Sequence, residues 1–188
     1  EGPFVAVNCA AMPAELIESE LFGYAPGAFT GARREGRKGK FELAAHGTLF
    51  LDEITELSLD LQAVLLRALQ EKKIVPLGSS REIEIDVRVI AATNRNVAPE
   101  LEASSFLRSD LYFRLNVFRI DIPPLRNRPE DLPWLAEAVL ARLNRANDRR
   151  LTLTPEAAAA VARYGWPGNV RELENAIERA FHVCGEGP

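Results

Sequence analysis

The chain is poor in the residues that build metal and redox centres. Its 188 residues include two cysteines, Cys9 and Cys184, and two histidines. There is no CxxC pair and little histidine to complete a ligand set, so a zinc site is not expected and a reducing cytoplasm fits at least as well as a disulfide. Long apolar runs are also missing: nothing approaches the roughly 20 residues that span a membrane, and no signal-peptide pattern opens the chain. It begins at Glu1-Gly2-Pro3-Phe4 without a methionine, as a fragment does. Excess positive charge is lacking too, and a net charge of −4 argues against general coating of nucleic acid. There is no internal repeat and no low-complexity tract. What remains, 47% hydrophobic and 27% charged, is the balance of a soluble globular protein with chain enough for one domain or two small ones.

Residues 4–7 form a short apolar run rich in strand formers and read as a buried strand ending at Asn8. Pro13 opens a helical pattern with Leu16, Ile17, Leu21 and Phe22 on one side, closed by Gly23. Residues 40–45 allow one or two helical turns before Gly47. Thr48-Leu49-Phe50-Leu51 is a continuous apolar run, the mark of a strand covered on both faces as in parallel sheets. Leu61, Val64, Leu65, Ala68 and Leu69 recur at helical spacing within residues 59–70. Residues 83–92 read as one strand ending at Thr93-Asn94, and residues 117–122 as another short one. Strands alternating with helices predict an α/β class with a parallel sheet. Pro123-Pro124 marks a boundary, and everything beyond reads as helix: Leu135, Ala136, Val139, Leu140 and Leu143 line one, Thr154-Pro155-Glu156 starts a second, and Val170, Leu173, Ile177, Ala180 and Phe181 face inward on a third. Two parts are expected, residues 1–124 and a helical part over residues 125–188.

Two stretches invite chemistry. Gly27-Ala28-Phe29-Thr30-Gly31-Ala32 sets one aromatic ring among small residues with glycine at both ends. It reads either as a loop displaying Phe29 at its tip or as an ordinary turn with Phe29 tucked into the core. The cations Arg33, Arg34, Arg37, Lys38 and Lys40 follow directly, as a solvated loop or a phosphate contact. In Gly47-Thr48-Leu49-Phe50-Leu51-Asp52-Glu53, four apolar residues deliver two adjacent carboxylates to the carboxyl end of a strand, where parallel sheets bind ligands. Adjacent strand residues point opposite ways, so Asp52 can hold a hydrated Mg²⁺ while Glu53 polarises an attacking water. The plainer alternative is that these acids cap a strand end.

Asn8-Cys9-Ala10-Ala11, Glu20-Leu21-Phe22-Gly23, the hexapeptide at 27–32, the run at 47–53, Ala92-Thr93-Asn94 and Trp166-Pro167-Gly168-Asn169-Val170-Arg171-Glu172-Leu173 occur together and in this order. Across essentially the whole chain this resembles the central AAA+ domain of the bacterial enhancer-binding proteins, which activate sigma-54 RNA polymerase. The resemblance implies an AAA+ sheet flanked by helices, followed by a small all-α lid. It implies ATP and Mg²⁺ as ligands, a hexameric or heptameric ring, a cytoplasmic location and no membrane contact. Asp52 and Glu53 match the Walker B acid and the catalytic glutamate, and Asn8 matches the residue that restrains that glutamate. Asn94, with Thr93 beside it, matches sensor I; Arg108 and Arg114 match the arginine fingers that reach a neighbour's nucleotide; Arg171 matches sensor II. Gly27, Ala28, Phe29, Thr30, Gly31 and Ala32 match the loop that contacts sigma-54, and the basic run from Arg33 to Lys40 could touch promoter DNA.

The family pattern also has a phosphate-binding strand and loop before residue 1. Gly39-Lys40 is a poor imitation: a Walker A motif needs glycine where Arg34 stands and Ser or Thr where Phe41 stands. These 188 residues alone are therefore expected to bind ATP weakly or not at all. They are also expected to be less stable than a longer chain, because the strand leading into that loop lies between the strand ending at Asn94 and the one at 117–122. A non-hydrolysing module that binds sigma-54 or a partner AAA+ subunit is the main alternative. A clamp loader or helicase motor would share the acids and arginines but has no use for the hexapeptide.

Overall fold

The computed structural model describes residues 2–97 and 106–184, and the chain divides into two compact units, Glu1–Arg119 and Ile120–Pro188. The first unit runs through β1 (Phe4–Asn8), α1 (Ala14–Phe22), a hairpin of β2 (Gly23–Tyr24) and β3 (Arg37–Lys38), and the short α2 (Lys40–Leu43). It continues with β4 (Gly47–Asp52), α3 (Leu59–Glu71), a second hairpin of β5 (Lys73–Ile74) and β6 (Ile83–Glu84), β7 (Val87–Ala91) and α4 (Ser109–Leu115).

Three strands make a parallel sheet in the order β1-β4-β7, with β4 in the middle. Alternation sends Val5, Val7, Leu49, Leu51, Val87, Val89 and Ala91 to one face. There they pack with Ile17, Leu21 and Phe22 of α1, Phe41 of α2, Leu61 and Leu65 of α3 and Leu111 of α4. The opposite face differs from the sequence expectation of strands covered on both sides. Phe4, 66% exposed, stacks on Phe50 at 6.2 Å, and Ile90 is 38% exposed. On β1 only Val7 is buried, because β1 is an edge strand whose helices lie on one side.

Two further expectations need correction. Residues 83–92 form two strands rather than one. β6 pairs antiparallel with β5 and β7 pairs parallel with β4, and the crossover between them is anchored by the Ile85 N–H on the Lys72 carbonyl (2.9 Å) and the His46 N–H on the Asp86 carbonyl (2.7 Å). Residues 117–122 are not a strand: Val117, Phe118, Ile120 and Ile122 are 76–87% exposed, and among the described residues no strand pairs with them. β-branched composition favours extended backbone, but a strand exists only where another edge takes up its N–H and C=O groups.

Helix limits follow the chain chemistry. α1 starts after Pro13 and stops at Gly23, whose φ of 79° suits a residue without a Cβ. α3 is capped by Ser58, whose Oγ accepts the Leu61 N–H at 3.3 Å.

In the second unit a 3-10 turn at Leu125–Asn127 leads to α5 (Asp131–Asn147), α6 (Pro155–Arg163) and α7 (Asn169–Val183). Leu125, Leu132, Ala136, Val139, Leu140, Trp166, Leu173, Ile177 and Phe181 form its core. Thr154 caps α6, with Pro155 in the first turn. Leu173, Ile177 and Phe181 recur every fourth residue and are buried, while Ala180, expected to face inward, lies on the exposed flank of α7. Asn169 opens α7 at a φ of 54° and accepts the Leu125 N–H on Oδ1 at 2.8 Å. No helix among the described residues is long and apolar enough to cross a membrane.

Candidate functional site

The carboxyl end of β4 gathers most of the sequence-predicted catalytic groups. Asn8 and Asp52 are paired in register at the ends of β1 and β4. The Asn8 amide donates to Asp52 Oδ2 at 3.3 Å, while its own Oδ1 accepts the N–H groups of Ala10 and Ala11 at 2.9 and 3.1 Å. That turn fixes the amide and, through it, the Asp52 carboxylate. Asn8 thus reaches Asp52, whereas Glu53 turns away from the strand with φ 53° and ψ 51°. A residue with a Cβ costs about 1–2 kcal/mol in this left-handed region, and such strain persists where the surroundings over-determine it.

The surroundings are the segment after β7. Glu53 Oε2 accepts the Asn94 N–H at 3.2 Å, the Ile54 N–H donates to the Ala92 carbonyl at 3.0 Å, the Thr55 and Thr93 hydroxyls meet at 3.0 Å, and Arg95 donates to Glu56 at 2.6 Å. Each of residues 53–56 therefore has its own tie to residues 92–95, which joins the turn carrying Glu53 to the candidate sensor along its whole length. Thr93 and Asn94 come together with Glu53 as expected, but the contact to the glutamate is made by the backbone of Asn94 rather than its side-chain amide.

The two candidate finger arginines are anchored at opposite ends of helices. Arg108 precedes α4, and its Nε and Nη2 grip both oxygens of Asp110 at 3.1 and 2.8 Å. The Arg108 hydrogen bond, helped by the Leu111 N–H, holds the Asp110 carboxyl below the usual range, while the same bond and the carboxylate charge raise the Arg108 guanidinium. Arg114 Nη2 donates to the Leu69 carbonyl at 2.8 Å, where a cation suits the carboxyl end of α3. Arg171 stands exposed in the first turn of α7, in the second unit.

The hexapeptide lies between β2 and β3. The N–H of Ala28 bonds to the Ala25 carbonyl (3.2 Å) and that of Ala32 to the Phe29 carbonyl (3.0 Å). These close two successive turns whose third residues, Gly27 (φ 72°) and Gly31 (φ 94°), take the positive φ a type II turn requires. A Cβ on either would meet nothing within 4 Å, so backbone conformation and not crowding calls for glycine here. Phe29 is neither core nor wholly displayed: it is 42% exposed, with one edge against Tyr24 at 5.1 Å. Of the five cations that follow, Arg37 and Lys40 both pair with Glu20, whereas Arg33, Arg34 and Lys38 are exposed.

Sequence reasoning missed the neighbour of this loop. Leu77, between β5 and β6, donates its N–H to the Gly23 carbonyl (3.0 Å) and accepts the Ala25 N–H (2.9 Å). A Cβ on the adjacent Gly78 would fall 2.6 Å from Ala28 Cβ. The only signal for this in the chain is the turn-prone run from Pro76 to Ser80.

The donors at the end of β4 are carboxylate and hydroxyl oxygens, the hard set that Mg²⁺ takes. Among the described residues no three His, Cys, Asp or Glu side chains cluster. Mg²⁺ held mostly by water and phosphate needs only one or two carboxylates, so the residues present fit the group. Gly39-Lys40 does not fit a phosphate: a Cβ on Gly39 would fall 2.4 Å from the Gly23 nitrogen, and Lys40 faces Glu20 at 3.8 Å.

Behind the acids lies Cys9, 4% exposed, with its N–H on the Asp52 carbonyl at 2.9 Å. Burial, then the charges of Asp52 and Glu53, push its thiol up to about 12. A thiol kept protonated is a poor nucleophile. At pH ~8 a thiol reagent is expected to label the exposed Cys184 and spare Cys9 until denaturant is added; rapid native-state labelling of both would contradict this. Because burial and the two acids penalise the thiolate, the raised value leaves stability unchanged below about pH 9 and lowers it as pH rises toward 12, where the unfolded chain has released the proton and the folded one still holds it.

Comparison with known proteins bears on the family and the fold. A family model described as Sigma-54 interaction domain matches residues 1–121, and one described as AAA+ ATPase lid domain matches residues 126–188. The chain is 56% identical over 179 residues to the DNA-binding transcriptional activator HyfR of Escherichia coli (strain K12), covering 95% of this chain and 26% of HyfR. It is 53% identical over 189 aligned residues to a protein of Geobacillus stearothermophilus named limonene hydroxylase, covering 100% of this chain and 35% of that protein. The crystal structure of NtrX from Brucella abortus in complex with ADP superposes with a TM-score of 0.87 at 33% identity, covering 100% of this chain and 41% of NtrX. The chain thus spans well under half the length of each.

Proposed function

The chain belongs to the AAA+ domain family of the sigma-54-dependent transcriptional activators, and from that premise we propose that it is the ATPase core of such an activator. In this reading it works in the bacterial cytoplasm as a hexameric or heptameric ring. ATP hydrolysis drives residues 27–32 against sigma-54 and remodels the closed complex of its RNA polymerase. The observation that carries the proposal is the pair of carboxylates at the end of the middle strand, with Glu53 tied by hydrogen bond to the Asn94 backbone.

The roles follow from position. Asp52, oriented by Asn8, is the residue that would hold a hydrated Mg²⁺, which would supply positive charge against the phosphates when bound with ATP. Glu53 takes the proton of the attacking water. Thr93 and Asn94 report the γ-phosphate to the turn that carries Glu53, and Arg171 is the nucleotide-sensing residue of the lid. Arg108 and Arg114 serve the nucleotide of the next subunit, where such a guanidinium is worth about 10³ to 10⁵ in rate. Each must first give up its present partner, Asp110 or the Leu69 carbonyl. An exposed pair such as Arg108–Asp110 is weak, so the exchange is easily made. Arg33, Arg34 and Lys38 are the cations left to meet promoter DNA, since Arg37 and Lys40 are engaged by Glu20.

The test is ATP-dependent opening of a sigma-54 promoter complex by the protein expressed from its full reading frame. Opening is expected with ATP and not with a non-hydrolysable analogue. Sigma-54 binding without nucleotide turnover would favour the non-hydrolysing module instead.

A further inference from the structure

α3 presents an apolar face to the core, with Leu61, Leu65, Leu66 and Ala68 buried, yet one of its most buried positions is an amide. Gln62 is 0% exposed, and among the described residues the other buried polar side chains, Ser19 and Thr55, are 7% and 4% exposed. Burying an amide is costly unless its hydrogen bonds are made. Gln62 makes three: Nε2 donates to the carbonyls of Leu57 (2.9 Å) and Phe106 (2.8 Å), and Oε1 accepts the N–H of Arg108 (2.9 Å). Two carbonyls facing one end of the amide and an N–H facing the other leave a single orientation.

The partners are what give these bonds meaning. Leu57 ends the 3-10 turn Ile54–Glu56 that follows Glu53. Phe106 and Arg108 flank Leu107, itself 4% exposed, and Arg108 is the residue from which α4 starts. Phe106 is held from a second side by the Arg95 guanidinium, 4.8 Å above its ring, and Arg95 follows the candidate sensor and pairs with Glu56. Leucine or methionine in place of Gln62 would fill the same space but leave two carbonyls and an N–H without their partner.

We propose that Gln62 is a positioning residue for ATP hydrolysis, clamping the backbone on both sides of Leu107 so that Arg108 projects in fixed register from the turn that carries Glu53. The proposal rests on the reading of Arg108 as a group that acts in a neighbour's site. Displacing a positioned group by about 1 Å can cost about 10²-fold in rate without touching substrate affinity.

Four variants of the full-length protein test it: Gln62→Asn, which keeps an amide but shortens its reach, Gln62→Met, which keeps the volume, and Arg108→Ala and Glu53→Gln for comparison. Both Gln62 variants are expected to lose roughly 10- to 100-fold in kcat with KM for ATP within about threefold. Mixing either with Glu53→Gln subunits is expected to raise turnover above that of both parents, because the Glu53→Gln subunit still offers a correctly held Arg108 to the intact acid of the Gln62 variant. A purely structural role predicts no such rescue. A kcat within about twofold of wild type, a loss that mixing does not rescue, or failure of both Gln62 variants to fold would overturn the proposal. Full activity in Arg108→Ala would overturn the finger reading and the proposal with it; a defective Arg108→Ala beside active Gln62 variants would sink the proposal alone.

Discussion

Glu53→Gln is expected to lower ATP turnover by about 10²- to 10⁴-fold, the usual contribution of a positioned general base, while nucleotide affinity stays near wild type. The substitution isolates basicity because the amide keeps what the carboxylate does structurally. A glutamine side chain has the same length and its amide oxygen can still accept the Asn94 N–H that Glu53 Oε2 accepts at 3.2 Å. It inherits the same left-handed backbone, φ 53°, and the same ties at residues 54–56. Neither fold nor sensor contact should change, so a fall in kcat reports the lost proton acceptor. Glu53→Ala would confound the two by releasing Asn94 as well. The measurement is steady-state ATPase beside equilibrium nucleotide binding, with the full-length protein. Turnover within about threefold of wild type would show that the proton leaves by another route.

The acids are legible in the sequence because the physics that places them is local: a short apolar run makes a strand, and the acids stand at and just past its end wherever the sheet lies. The helices are legible for a similar reason, since proline, serine, threonine and glycine mark their ends and the apolar spacing marks their faces. What the chain hides depends on partners far along it. β2, β3, β5 and β6 are two residues long, too short for any periodicity, and the two hairpins they form meet through the Leu77 N–H on the Gly23 carbonyl and the Ala25 N–H on the Leu77 carbonyl, between residues far apart in the chain. Gln62 looks like one polar residue on an amphipathic helix; its bonds to Phe106 and Arg108 span 44 and 46 residues. The strand expected at 117–122 fails in the same way, since its composition favours extension but pairing is a property of the sheet. The Asn8 amide meets Asp52 because the parallel register sets those two strand ends side by side, a pairing that no local pattern in the chain announces.

Thr30→Ala is expected to abolish activation while leaving ATP hydrolysis within about twofold of wild type. Thr30 sits at the second position of the turn closed by the Ala32 N–H on the Phe29 carbonyl, a position that accepts most residues. It is exposed, so alanine there neither empties core space nor strands a buried polar group. Whatever the substitution removes is offered outward. Residues that anchor an interface cost about 2 kcal/mol or more on truncation, roughly 30-fold in binding, and in the proposed ring subunits that each lose that much should no longer hold sigma-54 while ATP is hydrolysed. Phe29→Ala should act in the same direction but less cleanly, because Phe29 also rests against Tyr24 at 5.1 Å and its loss can loosen the hairpin. The measurement is promoter opening and ATPase in parallel on full-length Thr30→Ala and Glu53→Gln. Glu53→Gln should fail both and Thr30→Ala only the first. If Thr30→Ala loses hydrolysis as fully as Glu53→Gln does, tip and acid are not separate devices, and the hexapeptide acts on the nucleotide site rather than on sigma-54.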